Sequence, residues 1–258
     1  DGQDAHRAAV LAASFSPNGE LLALGLNSGN LVVRQLDGSY SPDVVLMNDW
    51  ICALDWHEDG GSICLGTYDG DVRIHTLSTE ASPARTWQWH DPTGRRVEAT
   101  KWLTRDEVVV GLRGSGGESE IILLNQQCEI PLQSTCRVDG MPLTLFELDE
   151  QVWCVTSSGA VTCHDRSTLG PLPSVVERAG DAFAACPSPD GNFVHIGGSE
   201  GWVRTVELSS GNVVASEQVG QGSVSALAAA GDTVVAGARS GEVVALNTNG
   251  TTRSRLVF

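Results

Sequence analysis

The chain has 258 residues, 41% hydrophobic and 19% charged, enough for one large domain or two small ones with a substantial core. Lysine plus arginine number 16 against 32 aspartates and glutamates, a formal net charge of −16. A field of that sign repels phosphate backbones and anionic bilayers, so direct nucleic-acid binding is not expected. No stretch approaches the roughly 18 apolar residues that a spanning helix needs, and no membrane insertion is expected.

In chain order, the first predicted elements are VLAASFS, the turn PNGE, LLALGL, the turn NSGN and LVVRQL, with an outer strand near Asp43–Met47. A second set follows as ICALDWH, EDGG, SICLGT, YDGD and VRIHTL. The third (VEATKWL, VVVGLR, EIILLN) and fourth (PLTLFEL, QVWCVT, AVTCHD) are looser. The fifth reads FAACPS, PDGN, FVHIGG, SEGW, VRTVEL and an outer VVASEQV. The sixth reads VSALAA, AGD, TVVAGA, RSGE, VVALNT and TTRSRLVF. Short β-branched runs separated by Asn, Asp and Gly turns are hairpin chemistry, and no segment holds a sustained helical stripe.

The turn glycines Gly29, Gly70, Gly117, Gly159, Gly201 and Gly241 recur at spacings of 41, 47, 42, 42 and 40 residues. A period of 40–45 residues with four strands each is the signature of a β-propeller blade. The fold class is therefore all-β: a single propeller domain over residues 1–258 of about six four-stranded blades. Their approximate bounds are 6–47, 48–90, 95–138, 140–178, 180–219 and 222–258. The period fits a closed six-bladed ring, and part of a seven-bladed ring is the alternative. A start at Asp1 without Met and an abrupt end at LVF fit either a trimmed chain or a domain of a longer protein.

These residues resemble the WD-repeat β-propeller family. The motif fits best at His6, Val10, Phe15 and Ser16–Gly19, then at Ile51, Trp56, Asp59-Gly60 and Tyr68-Asp69-Gly70, and again at Ser188–Gly191. The family's Trp-Asp dipeptide is replaced by Arg34-Gln35, His75-Thr76, His164-Asp165 and Val206-Glu207, and only Asp69 stands at the turn aspartate. The fourth and sixth periods also look like quinoprotein-type repeats. By this resemblance His6 is structural, and His75 and His164, in the place of the structural Trp, make inter-strand hydrogen bonds.

Catalytic signals are weak. The histidines show no metal-ligand spacing: His195 lies in an apolar strand and reads as a satisfied core histidine, and His57 and His90 read as solvated loop residues. There is no G-x-S-x-G. The glycine-rich Gly111–Gly117 opens no helix and reads as a flexible hairpin tip. The seven cysteines, Cys52, Cys64, Cys128, Cys136, Cys154, Cys163 and Cys186, form no C-x-x-C pair and read as buried reduced thiols of a cytoplasmic protein. No cofactor, metal or catalytic residue is expected.

The distinctive segment is ARTWQWHDPTGRR, residues 84–96. Trp87 and Trp89 alternate in a strand pattern, the alternatives being one ring against the neighbouring blade with the other exposed, or both packed on the outer strand, and Arg95 and Arg96 follow in a turn. Trp and Arg are enriched at interface hot spots. The resemblance further implies a binding face made of Asn48, Asp49, Trp50, Tyr68, Asp69, Arg95, Asp139, Asp181, Glu200 and Arg239. That face would be mainly acidic with one aromatic pair. The expected function is a non-catalytic protein–protein interaction scaffold, a subunit or domain of a larger complex, binding proteins through a basic contact surface. The rival is a propeller enzyme or small-ligand binder, lactonase-like or quinoprotein-like, using the central channel.

Overall fold

The computed structural model describes residues 8–37, 40–77, 85–126, 134–173, 179–249 and 252–257. All regular structure among them is β. Six antiparallel sheets follow one another along the chain, each built from consecutive strands. The first holds β1 (Val10–Phe15), β2 (Leu21–Leu26), β3 (Asn30–Gln35) and β4 (Tyr40–Leu46). The second holds β5 (Ile51–Trp56), β6 (Ser62–Thr67), β7 (Asp71–Thr76) and β8 (Arg85–His90). The third holds β9 (Arg96–Trp102), β10 (Glu107–Arg113), β11 (Ser119–Asn125) and β12 (Thr135–Val138).

The fourth sheet has three strands among the described residues, β13 (Pro142–Leu148), β14 (Gln151–Thr156) and β15 (Val161–Asp165). The fifth is β16 (Ala182–Pro187), β17 (Phe193–Gly198), β18 (Trp202–Glu207) and β19 (Val213–Gln218). The sixth is β20 (Val224–Ala230), β21 (Thr233–Ala238), β22 (Glu242–Asn247) and β23 (Thr252–Val257). This is the blade-type architecture expected from the period. The chain divides into two compact units, Asp1–Thr135 and Cys136–Phe258.

The turns form as their residues dictate. Gly70 takes a φ of 94°, open to glycine at little cost, and the other repeat glycines, Gly29, Gly117, Gly159, Gly201 and Gly241, are also left-handed. A hydroxyl pins three of the turns. Ser16 Oγ donates to Asn18 Oδ1 (2.7 Å) and accepts from Leu21 N; Thr67 Oγ1 donates to Asp69 Oδ1 (2.5 Å) and accepts from Asp71 N; Ser188 Oγ donates to Asp190 Oδ1 (2.5 Å) and accepts from Phe193 N. Between β13 and β14 the two-residue turn is Asp149-Glu150, at φ 51° and 59°. That left-handed pair lacks the glycine such a turn favours.

Each first strand carries one bulge near its start. It leaves Leu11, Cys52, Glu98, Leu143, Phe183 and Ser225 out of register with the second strand.

Within each unit, sheets pack face to face through a repeated device. At three of these interfaces the second strand presents a glycine to a β-branched residue at the start of the next first strand, and between the fourth and fifth sheets Val155 stands at the glycine position. A Cβ on Gly25 would come 2.5 Å from Ile51 Cγ2, one on Gly66 would overlap Val97 Cγ1, and one on Gly197 would come 2.6 Å from Val224 Cγ1. Ile51, Val97 and Val224 are fully buried. In the first unit two indoles add a polar tie to the preceding sheet. Trp56 Nε1 donates to Ser14 O (2.9 Å) and Trp102 Nε1 to Asp55 O (3.2 Å). Asp55 also accepts from Trp102 N (2.8 Å) and pairs with Lys101, the only lysine, at 3.1 Å. Burial pushes the Asp55 carboxyl up, against the pull of Lys101 and Trp102 N–H.

Gly66→Ala should lower unfolding stability by about 1–3 kcal/mol, the usual range for forcing a methyl into a filled core. Gly237→Ala is the control, because its Cβ would meet only Ala226 Cβ at 3.7 Å, an ordinary contact. Denaturant titration of both variants checks the contrast; equal losses would contradict the assignment.

Candidate functional site

The first unit presents an exposed aromatic pair. Trp50, just before β5, and Tyr68, just after β6, are 47% and 48% exposed. Their rings meet edge-on at 5.4 Å and 61°. They are brought together because Tyr68 N donates to Trp50 O (3.0 Å) as the β5–β6 pairing ends. Asp49 Oδ1 accepts from Trp50 N (2.7 Å) and fixes the entry to the strand.

Arg96, at the start of β9, lies over the Tyr68 ring at 5.0 Å, a cation–π contact. Its Nε pairs with Glu98 Oε2 (3.1 Å), and Arg113, opposite Arg96 across the β9–β10 pair, approaches Glu98 Oε1 at 3.8 Å. Burial pushes the Glu98 carboxyl up, with Arg96 and Arg113 pulling it down. The Cys52 thiol in the same cluster is also pushed up by burial, partly offset by Arg96. Sequence reasoning missed Cys52 and Glu98. Both occupy the bulge position of their strands, and bulges leave no signature in an apolar run. Arg96 and Glu98, two apart on one strand, was the available signal for the ion pair.

Other expected site residues have different environments. Arg95 is largely enclosed and fully engaged. It gives Nη2 to Asp91 Oδ1 (2.8 Å), Nε to Asp91 Oδ2 (3.2 Å) and Nη1 to Glu120 Oε2 (2.6 Å). It closes the Asp91–Arg95 turn, where Asp91 is fully buried and also accepts from Thr93. Burial opposes the Asp91 charge, but the bonds from Arg95 and Thr93 outweigh it and hold the carboxyl down at about 2. Trp87 and Trp89 are both half-buried against the core of the second and third sheets. The alternative of one inward and one exposed ring fails, because residues two apart on a strand share a face. Trp87 also lines a cleft of about 610 Å³ with His57, Thr76, Trp102 and Gln126. Asp69 is tied to Thr67 in its turn, as above.

In the second unit, Asp181 and Glu200 border one small pocket of about 100 Å³ with Trp202 and Arg204. Asp139 is exposed, and its carbonyl accepts from Thr156 Oγ1 (2.6 Å) and Ser158 Oγ (2.9 Å). Arg239 is exposed beside Gly241, and Asn48 is exposed next to Asp49 in the first unit.

The histidines largely serve the core. His195 is buried and shares a hydrogen bond with Thr205 Oγ1 (3.1 Å) opposite it on β18; burial pulls it down to about 4. His164 bonds Thr162 Oγ1 (2.9 Å) on its own strand and Leu169 O (3.3 Å) in the following turn. Neither partner lies on the paired strand β14, so the expected inter-strand role fails for this residue. His75 is buried on β7. His57, expected in solvent, is buried edge-on against Trp102 at 4.8 Å, with Nδ1 2.9 Å from Asp59 Oδ1. His90 is exposed as expected, but it ends β8 and pairs with Asp71 at 2.8 Å. His6 and Cys128 lie outside the described residues. The other six cysteines are free: Cys64, Cys154, Cys163 and Cys186 are buried, Cys52 and Cys136 half-buried. The glycine-rich run is shorter as a turn than expected, because Gly111–Arg113 belong to β10 and only Gly114–Gly117 form the tip. Among the described residues no group of three or more His, Cys, Asp or Glu side chains could hold a metal ion. Among the described residues no helix is long and apolar enough to cross a membrane.

Residues 13–105 match the family described as the anaphase-promoting complex subunit 4 WD40 domain. Over that stretch the chain is similar to WD40-type repeats. The matched stretch runs from β1 to the β9–β10 turn and contains the Trp50–Tyr68–Arg96 cluster and both indole ties. No curated protein matches the sequence. WD40 domains are generally non-catalytic and typically bind other proteins, so the repeats suggest a protein-interaction role.

The Asp91–Arg95 turn behind the cluster should titrate in acid. A carboxyl held below its ordinary 3.8 stabilises the fold above that pH and loses its contribution as the pH falls through about 2. The contribution is about 2 kcal/mol. Arg95→Gln should lower the thermal midpoint at neutral pH and flatten its dependence between about pH 4 and 2. An unchanged acid slope would show that the pair does not control this turn.

Proposed function

We propose that the protein is a non-catalytic interaction scaffold, a subunit or domain of a larger complex, whose Trp50–Tyr68–Arg96 cluster docks a protein partner with a basic contact surface. The observation that carries this reading is the exposed, edge-on aromatic pair held by a cation and backed by a buried carboxylate. Large rings fixed before encounter lose little freedom on binding, which is where anchoring residues gain their effect. Asp49 and Asp69 flank the pair, and the chain carries twice as many acids as bases, so a basic surface is the electrostatic complement. Asp139, Asp181, Glu200 and Arg239 are proposed as further contact residues of the second unit. Arg95, Trp87 and Trp89 are not part of the contact set, since their side chains are engaged in turn and core.

The matching family is named for a subunit of a multi-protein complex, which supports the subunit reading. The scattered cysteines in apolar strands support a cytoplasmic location.

Quantitative affinity capture from cell extract tests the proposal. Trp50→Ala and Tyr68→Ala should each weaken retention of the captured partner by roughly 30-fold, as for a hot-spot loss of about 2 kcal/mol. Exposed substitutions of this kind change stability by about 0.5 kcal/mol or less, so the thermal midpoint should hold. Capture should also fall as salt rises. Retention unchanged by both substitutions would overturn the assignment.

A further inference from the structure

The second unit carries a cation without a counter-ion. Arg204 is the third residue of β18 and stands opposite Ile196 on β17. Ile196 and Val206, on the same face, pack in the core shared with the fourth sheet. Arg204 is half-buried beside them. Among the described residues no hydrogen bond or ion pair engages its guanidinium, and its nitrogens are not sealed from solvent. A charge held in this way gives up part of its hydration and gains no partner in return.

The arginine at the same strand position in the second sheet behaves otherwise: Arg73, third in β7, gives Nη1 to Leu46 O (3.1 Å). Arg204 instead lies against Gly180, where a Cβ would come 2.3 Å from Nη1. The glycine leaves the space that the guanidinium occupies. With Gly180, Trp202, Asp181 and Glu200, Arg204 walls the pocket of about 100 Å³ at the entry to β16. Neither Asp181 nor Glu200 makes an ion pair with it. Every lining residue lies within the second unit, so the walls of the pocket are complete without the first.

We propose that this pocket seats the carboxylate of an acidic side chain on a protein partner, with Arg204 as its cation and basic residues of the same partner segment lying on Asp181 and Glu200. The planar fork of a guanidinium matches a carboxylate through two parallel bonds. The pocket has the size of a side-chain head group, well below the roughly 300–1,000 Å³ of small-molecule sites. Two carboxylates in its wall repel a dianionic phosphate more strongly than a carboxylate, and they complement basic neighbours of the seated acid. The site goes beyond the Trp50–Tyr68–Arg96 reading and uses none of those three residues, although Asp181 and Glu200 also belong to the wider contact set proposed above.

Titration of the isotope-labelled chain with the peptide acetyl-Arg-Glu-Arg-amide tests it by NMR, with the Trp202 indole N–H as reporter. The peptide should shift this signal saturably. Acetyl-Arg-Gln-Arg-amide on the unaltered chain, and the acidic peptide on Arg204→Met, should each bind about 10-fold more weakly or worse, as for loss of a charge-assisted hydrogen bond. Thermal melting checks that Arg204→Met keeps its fold; if it does not, the comparison of the two peptides on the unaltered chain decides alone. No shift with the acidic peptide, or equal binding of the two peptides, would overturn the site. Inorganic phosphate binding there more tightly than the acidic peptide would overturn the carboxylate assignment. Neither the aromatic cluster nor a captured partner enters the measurement, so the two readings fail separately.

Discussion

Close approach of consecutive sheets is the constraint on which the rest of the structure depends. Two apolar sheets stacked face to face leave voids wherever their side chains fail to interlock, and a void forfeits both burial and dispersion. Here the fit is set at three interfaces by one point, where a β-branched side chain (Ile51, Val97 or Val224) enters the space left by a glycine on the facing strand. Because the glycine is the fifth residue of its strand and its partner is the first or second residue of the next first strand, register between these neighbouring sheets follows from register within them. Trp56 and Trp102 then bring indole N–H groups to carbonyls of the preceding sheet, so the polar ties fall at the opposite end of the same strands from the glycine contacts.

Surface chemistry follows from the same geometry. The bulge at the second or third residue of each first strand turns one side chain out of the stack, and in the second and third sheets those side chains are Cys52 and Glu98. Glu98 pairs with Arg96, and Arg96 covers Tyr68. A packing requirement in the interior thus sets the position of the cation that orders the exposed rings. The Asp91–Arg95 turn supports the same edge through bonds to Glu120. The two adjacent arginines have separate duties, one closing a turn and one facing the aromatic pair.

Much of this was legible in the sequence. The period of the turn glycines gave six sheets, and β2, β5 and β6 lie where the apolar runs put them, because Asn-Gly and Asp-Gly turns state both the hairpin and its register. What was less legible depended on neighbours. The Asp149-Glu150 turn carries no glycine and is held by its flanking strands. His57 looks like a loop residue, yet Trp102, 45 positions later, buries it. Strand parity, available in the sequence, puts Trp87 and Trp89 on one face, which selects the alternative in which both rings pack. Arg95 gave no sign of its engagement, because the reach to Glu120 crosses to another strand.

A double-mutant cycle on Gly66 and Val97 tests the packing account most directly. If a methyl at residue 66 is costly because it collides with Val97, shortening Val97 to alanine should make room for it. The stability of Gly66→Ala/Val97→Ala, measured by denaturant titration, should exceed the sum of the single effects by about 1–2 kcal/mol in the favourable direction. Losses that add to within about 0.5 kcal/mol would contradict the account, since they would show that the two positions do not share the space that joins the second sheet to the third.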